Sequence, residues 1–240
     1  MAGTRARNLQ NRRCIIGAEY GGAMPETVPT FTAAQVRAAE APLLAAGVPL
    51  MRRAAAALAE VIAEHEPERM LVLAGPGDNG GDALFAAADI AARGVPVDIL
   101  HTSDRVHTEA LQAATDAGAT GIRLDELNPA AHDVIIDGIL GIGARGALRG
   151  QARDAVTALL PASAVVVAVD LPSGLDADTG AADEAVLTAT TTVTFGAVKA
   201  GLTRGEGLRL CGRIVLVDIG LRLDPNDAVG QATVAERRAG

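Results

Sequence analysis

The chain is predicted to fold as an α/β protein, with parallel strands covered by Ala-rich helices. From Met70 onward short apolar runs alternate with stretches of helical period, which is how a sheet is wound with helices on its faces. Of the 240 residues 49% are hydrophobic but only 2% aromatic, so the core must be built from Ala, Val, Leu and Ile, the usual content of buried parallel strands. That length suffices for one sizeable core and is short for two ordinary domains.

Taken in order, the first thirty residues carry Arg5, Arg7, Arg12 and Arg13 and no apolar stretch long enough for a secretory signal. Residues 1–29 therefore read as a disordered tail. Thr32 and Gln35 fit a capping box, which predicts a helix through about Leu44. Gly47 and Pro49 interrupt it, and Leu50 to Ala63 reads as a second helix with proline near its first turn. Both precede the first strand and are expected to cover the sheet or mediate self-association. Then follow strand 70–74, a glycine-rich loop from Gly75 to Asp82, helix 83–93, strand 95–100, helix 108–117 and strand 133–137. Helix 151–160, strand 164–170, strand 190–195, a short helical piece near 204–210 and strand 213–218 complete the winding. One domain, 30–224, is expected, with a flexible C-terminal tail at 225–240.

A formal net charge of −8 argues against a broad DNA- or RNA-tracking surface, and the scarcity of aromatic rings against a base-stacking platform. No apolar run reaches the length of a membrane span. Cys14 and Cys211 have neither metal spacing nor a CxxC pair and read as unlinked thiols in a reducing, cytoplasmic setting. Of the 21 basic residues all but Lys199 are arginine, which points to a need for a compact ammonium at that position.

Gly75-Pro76-Gly77-Asp78-Asn79-Gly80 is a literal G-x-G-x-x-G between strand and helix, with Asp98 about 20 residues on, where a ribose-binding acid would sit. Alone it would signal a dinucleotide dehydrogenase. Pro76 inside the turn and the carboxylates of Asp78 and Asp82 oppose that reading, and no Walker lysine supports a P-loop. Carboxylates with an amide suit a hard cation or sugar hydroxyls better than a bare phosphate.

Three further strands end in polar loops. Asp137 leads into glycines whose N–H groups can face a ligand, with Arg145 or Arg149 offering charge to a pyrophosphate. Asp170 and Ser173 supply an acid and a hydroxyl around Pro172, and the strand 190–195 runs on to Lys199. Taken singly, each loop is explained by turn chemistry. Four on one sheet edge, three of them acidic, point to a ligand site, because open α/β sheets bind outside the carboxyl ends of their strands.

In order and with compatible spacing, the series from Gly75 to Asp82, Asp137 with Gly141 to Gly146, Asp170 to Gly180 and Thr194 to Gly201 resembles the NAD(P)H-hydrate epimerases, the YjeF N-terminal domain family. The likeness runs from about Thr32 to Leu221. It implies a Rossmann-like three-layer α/β/α sandwich with a mostly parallel central sheet, and an isomerase that interconverts the R and S hydrates of NADH and NADPH in nicotinamide nucleotide repair. It implies that Asp78, Asn79, Gly80, Gly81 and Asp82, then Gly141, Ile142, Gly143, Ala144, Arg145, Gly146 and Ala147, and also Asp170 and Lys199 contact the hydrated nucleotide. One potassium ion (K+) per subunit would be held by Asn79, Asp137 and Ser173. A homodimer and an ATP- or ADP-dependent dehydratase partner belong to the same expectation. Asp78 stands where the family usually has a second Asn, and Ala83 where it has Gly.

A second class of function stays open, since similar domains occur as non-catalytic nucleotide-sensing or protein- or RNA-interaction modules. The joint presence of Asn79, Asp137, Asp170 and Ser173 favours the enzyme. Its chemistry needs a group that protonates a leaving hydroxyl and deprotonates incoming water. Asp170 is the candidate: burial at the end of an apolar strand should favour its neutral form, and a nearby cation its charged form. His65, His101, His107 and His132 lie outside the four loops and are expected at the surface or at helix ends.

Overall fold

All five residues from Met70 to Ala74 are buried, although successive side chains of a strand point to opposite faces. Met70, Val72 and Ala74 join one apolar cluster, and Leu71 and Leu73 another, so both faces of this strand are covered. A computed structural model describes residues 25–144 and 146–240 of the chain. In chain order its strands are β1 (Glu26–Phe31), β2 (Met70–Ala74), β3 (Val97–His101), β4 (Thr120–Ile122), β5 (Val134–Gly138) and β6 (Val165–Val169). They continue with β7 (Thr191–Phe195), β8 (Val198–Lys199), β9 (Arg213–Asp218), β10 (Gly230–Val234) and β11 (Glu236–Ala239). The α-helices are α1 (Ala33–Ala45), α2 (Leu50–Ala63), α3 (Asp78–Ala92), α4 (Thr108–Asp116), α5 (Gly150–Leu159) and α6 (Gly207–Leu210).

Eight strands form one sheet in the order β11-β9-β7-β6-β5-β2-β3-β4, with every neighbouring pair parallel. Residues of α2, α3 and α4 pack on the face that carries Met70, Val72 and Ala74, and those of α5 on the opposite face. The result is the Rossmann-like three-layer sandwich. A smaller sheet, β10-β1-β8, pairs β1 antiparallel with β10 and parallel with β8. From β2 the chain winds outward to β3 and β4, then returns to place β5 on the other side of β2. Winding reverses between β2 and β5, and the loops leaving their carboxyl ends part to open a crevice.

Local signals place several elements where the sequence predicts them. The Thr32 main-chain N–H donates to Gln35 Oε1 at 2.8 Å and the Gln35 N–H to Thr32 Oγ1 at 3.3 Å, closing the capping box of α1. The two ends of the domain differ from expectation. Residues 26–29, assigned to a tail, belong to β1, where Val28 and Phe31 are buried; the rest of that expectation, residues 1–24, lies outside the described residues. Residues 225–240 are not a loose tail either, since β10 buries Ala232 and Val234 and β11 extends the large sheet beside β9. Both segments are short and one-sided, and each takes its partner from a distant part of the chain, which a local pattern does not reveal.

Candidate active site

The glycine-rich stretch is mostly helix. α3 begins at Asp78 with Gly77 as its N-cap, five residues before the predicted start at Ala83. Asp, Asn and Gly are poor helix formers in isolation and so mimic a loop, but Asp at a helix N-terminus meets the positive end of the dipole. Gly80 is needed for contact: a Cβ there would lie 2.1 Å from the Gly75 carbonyl oxygen. That close approach brings Asp78, Asn79 and Asp82 over the crevice between β2 and β5.

Asn79 ties three segments together. Its Nδ2 donates to the carbonyls of Leu140 at 3.0 Å and Val169 at 2.6 Å, just beyond β5 and at the end of β6. Gly141 leaves room for it, because a Cβ at Gly141 would lie 2.3 Å from Asn79 Oδ1. Beside it Asp137, wholly buried, accepts the Ser173 N–H at 2.8 Å, and Ser173 Oγ accepts the Leu140 N–H at 2.9 Å. Burial pushes the Asp137 carboxyl up, against the hydrogen bonds from Ser173 and Ile139 that favour its charge.

Asp170 follows β6 directly, with φ of +69°, a left-handed conformation that costs a non-glycine residue roughly 1 to 3 kcal/mol. Its Oδ1 accepts from Thr194 Oγ1 at 3.2 Å and the Phe195 N–H at 3.3 Å, and forms a short ion pair with Lys199 Nζ. Lys199 Nζ donates in addition to Thr194 Oγ1 at 3.1 Å and the Phe195 carbonyl at 2.9 Å. Lysine is 1% exposed here, and it stands behind Asp170 rather than among the residues that border the cavity. Direct contact with the nucleotide, expected of Lys199, is therefore not what this placement offers.

The cavity encloses about 170 Å³. Glu40, Asp78, Asn79, Asp82, Asp170 and the half-buried Ile142 border it, with Leu44, Leu50, Met51, Ala54, Phe195 and Ile219 as its apolar part. Asp82 is 6% exposed, and its Oδ1 has no hydrogen-bond partner among the described residues. Burial, reinforced by the negative charges of Asp170, Asp78 and Glu40 and opposed by Lys199, pushes its carboxyl well above the ordinary carboxylate range. Glu40 is raised as well, first by burial. Sequence reasoning misses Glu40: it sits in mid-helix on α1, with no turn or glycine to mark it, and only the docking of α1 brings it to the crevice.

Other predicted residues separate. In the segment 141–147, Ile142 borders the cavity, Gly141 and Ala144 are half-buried, and Gly143, Gly146 and Ala147 are exposed. Arg145 lies outside the described residues. Asp98 is the second residue of β3, far from its carboxyl end, where it is held by Arg69 Nη2 and His132 Nε2, each at 2.7 Å. It cannot serve as a ribose acid, which removes the dehydrogenase reading. His132 is buried rather than at the surface, whereas His107 caps α4 by accepting the Ala110 N–H at 3.1 Å. Asp178 accepts the Ala33 N–H at 2.6 Å and belongs to the α1 junction. A larger hollow of about 680 Å³, bordered by His65, His132, Asp133 and Val165, lies at the amino ends of β5 and β6, the edge opposite the acids.

Fold and site together define an α/β domain with a carboxylate-lined cavity at the carboxyl edge of a parallel sheet, where winding reverses. The chain belongs to the family described as YjeF-related protein N-terminus, which matches residues 47–201. It is 55% identical over 205 residues to the NAD(P)H-hydrate epimerase of Microbacterium testaceum, covering 82% of this chain and 80% of that one. With the NAD(P)H-hydrate epimerase of Clavibacter sepedonicus it shares 50% identity, covering 84% of this chain and 95% of the relative. The bifunctional NAD(P)H-hydrate repair enzyme Nnr of Mycobacterium tuberculosis is 45% identical over 81% of this chain, which spans 42% of that longer protein. The crystal structure of yeast ynu0, YNL200c, shares the fold with a TM-score of 0.66 at 20% identity, over 73% of this chain and 84% of the yeast one.

Proposed function

We propose that this chain is an NAD(P)H-hydrate epimerase, an isomerase of nicotinamide nucleotide repair. The observation that carries the reading is Asp170: a buried carboxylate in a strained conformation, braced on one oxygen by Lys199 and Thr194, and facing a small acid-lined cavity. Backbone strain held in place by surrounding bonds is a feature of working sites.

The hydrate is a hemiaminal. Its hydroxyl sits on the carbon beside the ring nitrogen, whose lone pair can expel it as water once it is protonated. The ring then carries positive charge, and re-addition of water to the opposite face inverts the centre. Asp170 exchanges the proton, a service worth roughly 10²- to 10⁴-fold. The surrounding carboxyls of Glu40, Asp78 and Asp82 favour a cationic ring over a neutral one, in a cavity whose remaining wall is apolar. Residues 78–82 and 141–147 bind the nucleotide, whose phosphates are suited to main-chain N–H groups and to Arg145.

Asn79, Asp137 and Ser173 fit a potassium ion. Their donor set is all oxygen, with one carboxylate among neutral groups and the carbonyls of Leu140 and Val169 alongside, which suits a hard cation of low charge. Among the described residues no cluster of three or more His, Cys, Asp or Glu offers a metal site of higher charge. When bound, the ion would offset the buried charge of Asp137 and stiffen the junction of β5, β6 and α3. The same reading includes a homodimer, a cytoplasmic setting and an ATP- or ADP-dependent dehydratase as functional partner. Among the described residues no helix is long and apolar enough to cross a membrane.

The test is direct. A preparation of hydrated NADH or NADPH enriched in one epimer is incubated with the protein, and the epimer ratio is followed by chromatography. Relaxation to the equilibrium ratio should be faster with the protein than without it. If the spontaneous rate is unchanged at any protein concentration, the chain is an interaction module on this fold.

A further inference from the structure

Four carboxyl groups border the cavity, and two of them are held in opposite ways. Asp170 has an ammonium against one oxygen and two further donors on that same atom. Asp82, on the second turn of α3, has no salt bridge among the described residues, and none of them donates to its buried Oδ1. An ionised carboxylate so placed would leave a buried charge unanswered, whereas a protonated one leaves only an unused acceptor. The charged groups that act on it are Asp170 at the end of β6 with Lys199 behind it, Asp78 from its own helix and Glu40 from α1, and of these four only Lys199 is positive. Two carboxyls in one small cavity, one braced as a base and one kept as an acid, are the arrangement that divides proton donation from proton acceptance.

We propose that Asp82 is a second catalytic residue, the carboxylic acid that protonates the departing hydroxyl while Asp170 receives the proton of the incoming water. The inference rests on the epimerase reading above. The Asp82 proton passes to the hydroxyl oxygen, the carbon–oxygen bond breaks, and the nitrogen lone pair becomes the second bond to carbon as water leaves. A water molecule then adds to the other face, its oxygen forming the new bond as that electron pair returns to nitrogen, and Asp170 takes its proton. One turnover leaves Asp82 ionised and Asp170 protonated, the state that runs the opposite epimer with the roles exchanged. The two groups border one cavity from different elements, α3 and the end of β6, which suits action on two faces of a ring. Burial and three negative neighbours, which hold the Asp82 proton, agree with this division.

Asp82→Asn tests it. The amide preserves shape but cannot give up a proton in this way, so epimerisation should fall by roughly two or more orders of magnitude. In the unmodified enzyme kcat/KM should decline as pH rises and Asp82 ionises, and the residual activity of Asp82→Asn should lack that decline. A protonated-carboxyl infrared band in the native protein at neutral pH should vanish in the variant. Should Asp82→Asn not fold, Asp82→Leu takes its place, and the pH profile of the unmodified enzyme decides by itself. Unmodified turnover in Asp82→Asn, or a rate flat from neutral to alkaline pH in the parent, overturns the proposal. A parent protein that never accelerates epimer exchange removes instead the epimerase reading on which it stands.

Discussion

The ammonium of Lys199 and the carboxylate of Asp170 form a buried ion pair at the carboxyl end of β6, with side-chain exposures of 1% and 7%. Thr194 serves both partners: its Oγ1 donates to the carboxylate and accepts from the ammonium. A pair enclosed this way gives the proposed acid-base group one orientation, because movement of Asp170 would strand a lysine that is 1% exposed.

The first prediction separates chemistry from support at this pair. Asp170→Asn keeps the shape, and asparagine tolerates the left-handed conformation, but it cannot shuttle a proton. Turnover should fall by roughly two or more orders of magnitude, with binding of the hydrated nucleotide less affected. Lys199→Met should instead lower stability by about 3 to 5 kcal/mol, because it leaves a buried carboxylate without its partner. Lys199→Arg should not rescue it, since the planar fork does not fit a position that is 1% exposed. Denaturant unfolding alongside the epimer assay gives both readings. An Asp170→Asn protein that folds and epimerises at the parent rate would contradict the assignment.

The second prediction concerns the cation. If Asn79, Asp137 and Ser173 hold potassium in the folded state alone, a concentration of about 100 times the dissociation constant adds roughly 2.7 kcal/mol of stability. The melting temperature should be higher in potassium than in a bulky organic cation at equal ionic strength, and Asp137→Asn should erase that difference. Equal melting in both salts for the parent chain rules the ion out.

Strand β2 and helix α2 lie where periodicity and punctuation put them, because a five-residue apolar run and an amphipathic helix after Pro49 are signals contained in the segment itself. Asp137 and Asp170 were legible for the same reason: one lies near the end of its own buried strand and the other directly after it. The start of α3 was hidden because Asp78, Asn79, Gly80 and Gly81 have loop-like preferences that packing against Gly75 overrides. β1 and β10 were hidden because they are each other's partner across the length of the domain. The upward push on the Asp82 carboxyl is a property of the assembled cavity, arising first from burial and then from Asp170 at the end of β6, Asp78 and the Glu40 that α1 brings, and no spacing in the sequence encodes it.

The third prediction follows from that pairing. A chain beginning at Thr32 lacks β1, whose Val28 and Phe31 are buried and whose partners in β10 include Ala232 and Val234. Removal of each large apolar side chain from the core forfeits about 1.5 to 3 kcal/mol, and the exposed β10 edge adds to the loss. Such a chain should melt well below one that begins at Pro25. Deleting 230–240 should act in the same direction by stripping both sheets of a strand. Equal melting of the two N-terminal variants would mean that β1 contributes nothing to the fold.

The last prediction uses Asp98, the acid at the amino edge. Burial alone would raise its carboxyl, but hydrogen bonds from His132 and Arg69 outweigh it and hold the group below the ordinary carboxylate range. A group whose folded-state value is depressed binds its proton more readily in the unfolded chain. Its contribution is therefore complete above the unfolded value of about 3.9 and is lost as pH falls through the folded one. Stability of the parent should drop steeply with acid below about pH 4. Asp98→Asn keeps the shape and a carbonyl acceptor but has no charge to lose, so it should be less stable than the parent at neutral pH and should show a shallower slope on the acid side. Because Arg69 is half exposed, most of the difference should come from the buried His132 contact, and His132→Gln should reproduce much of it. Denaturant unfolding at a series of pH values measures both slopes. Parallel acid limbs in parent and Asp98→Asn would show that the pair does not couple folding to protonation.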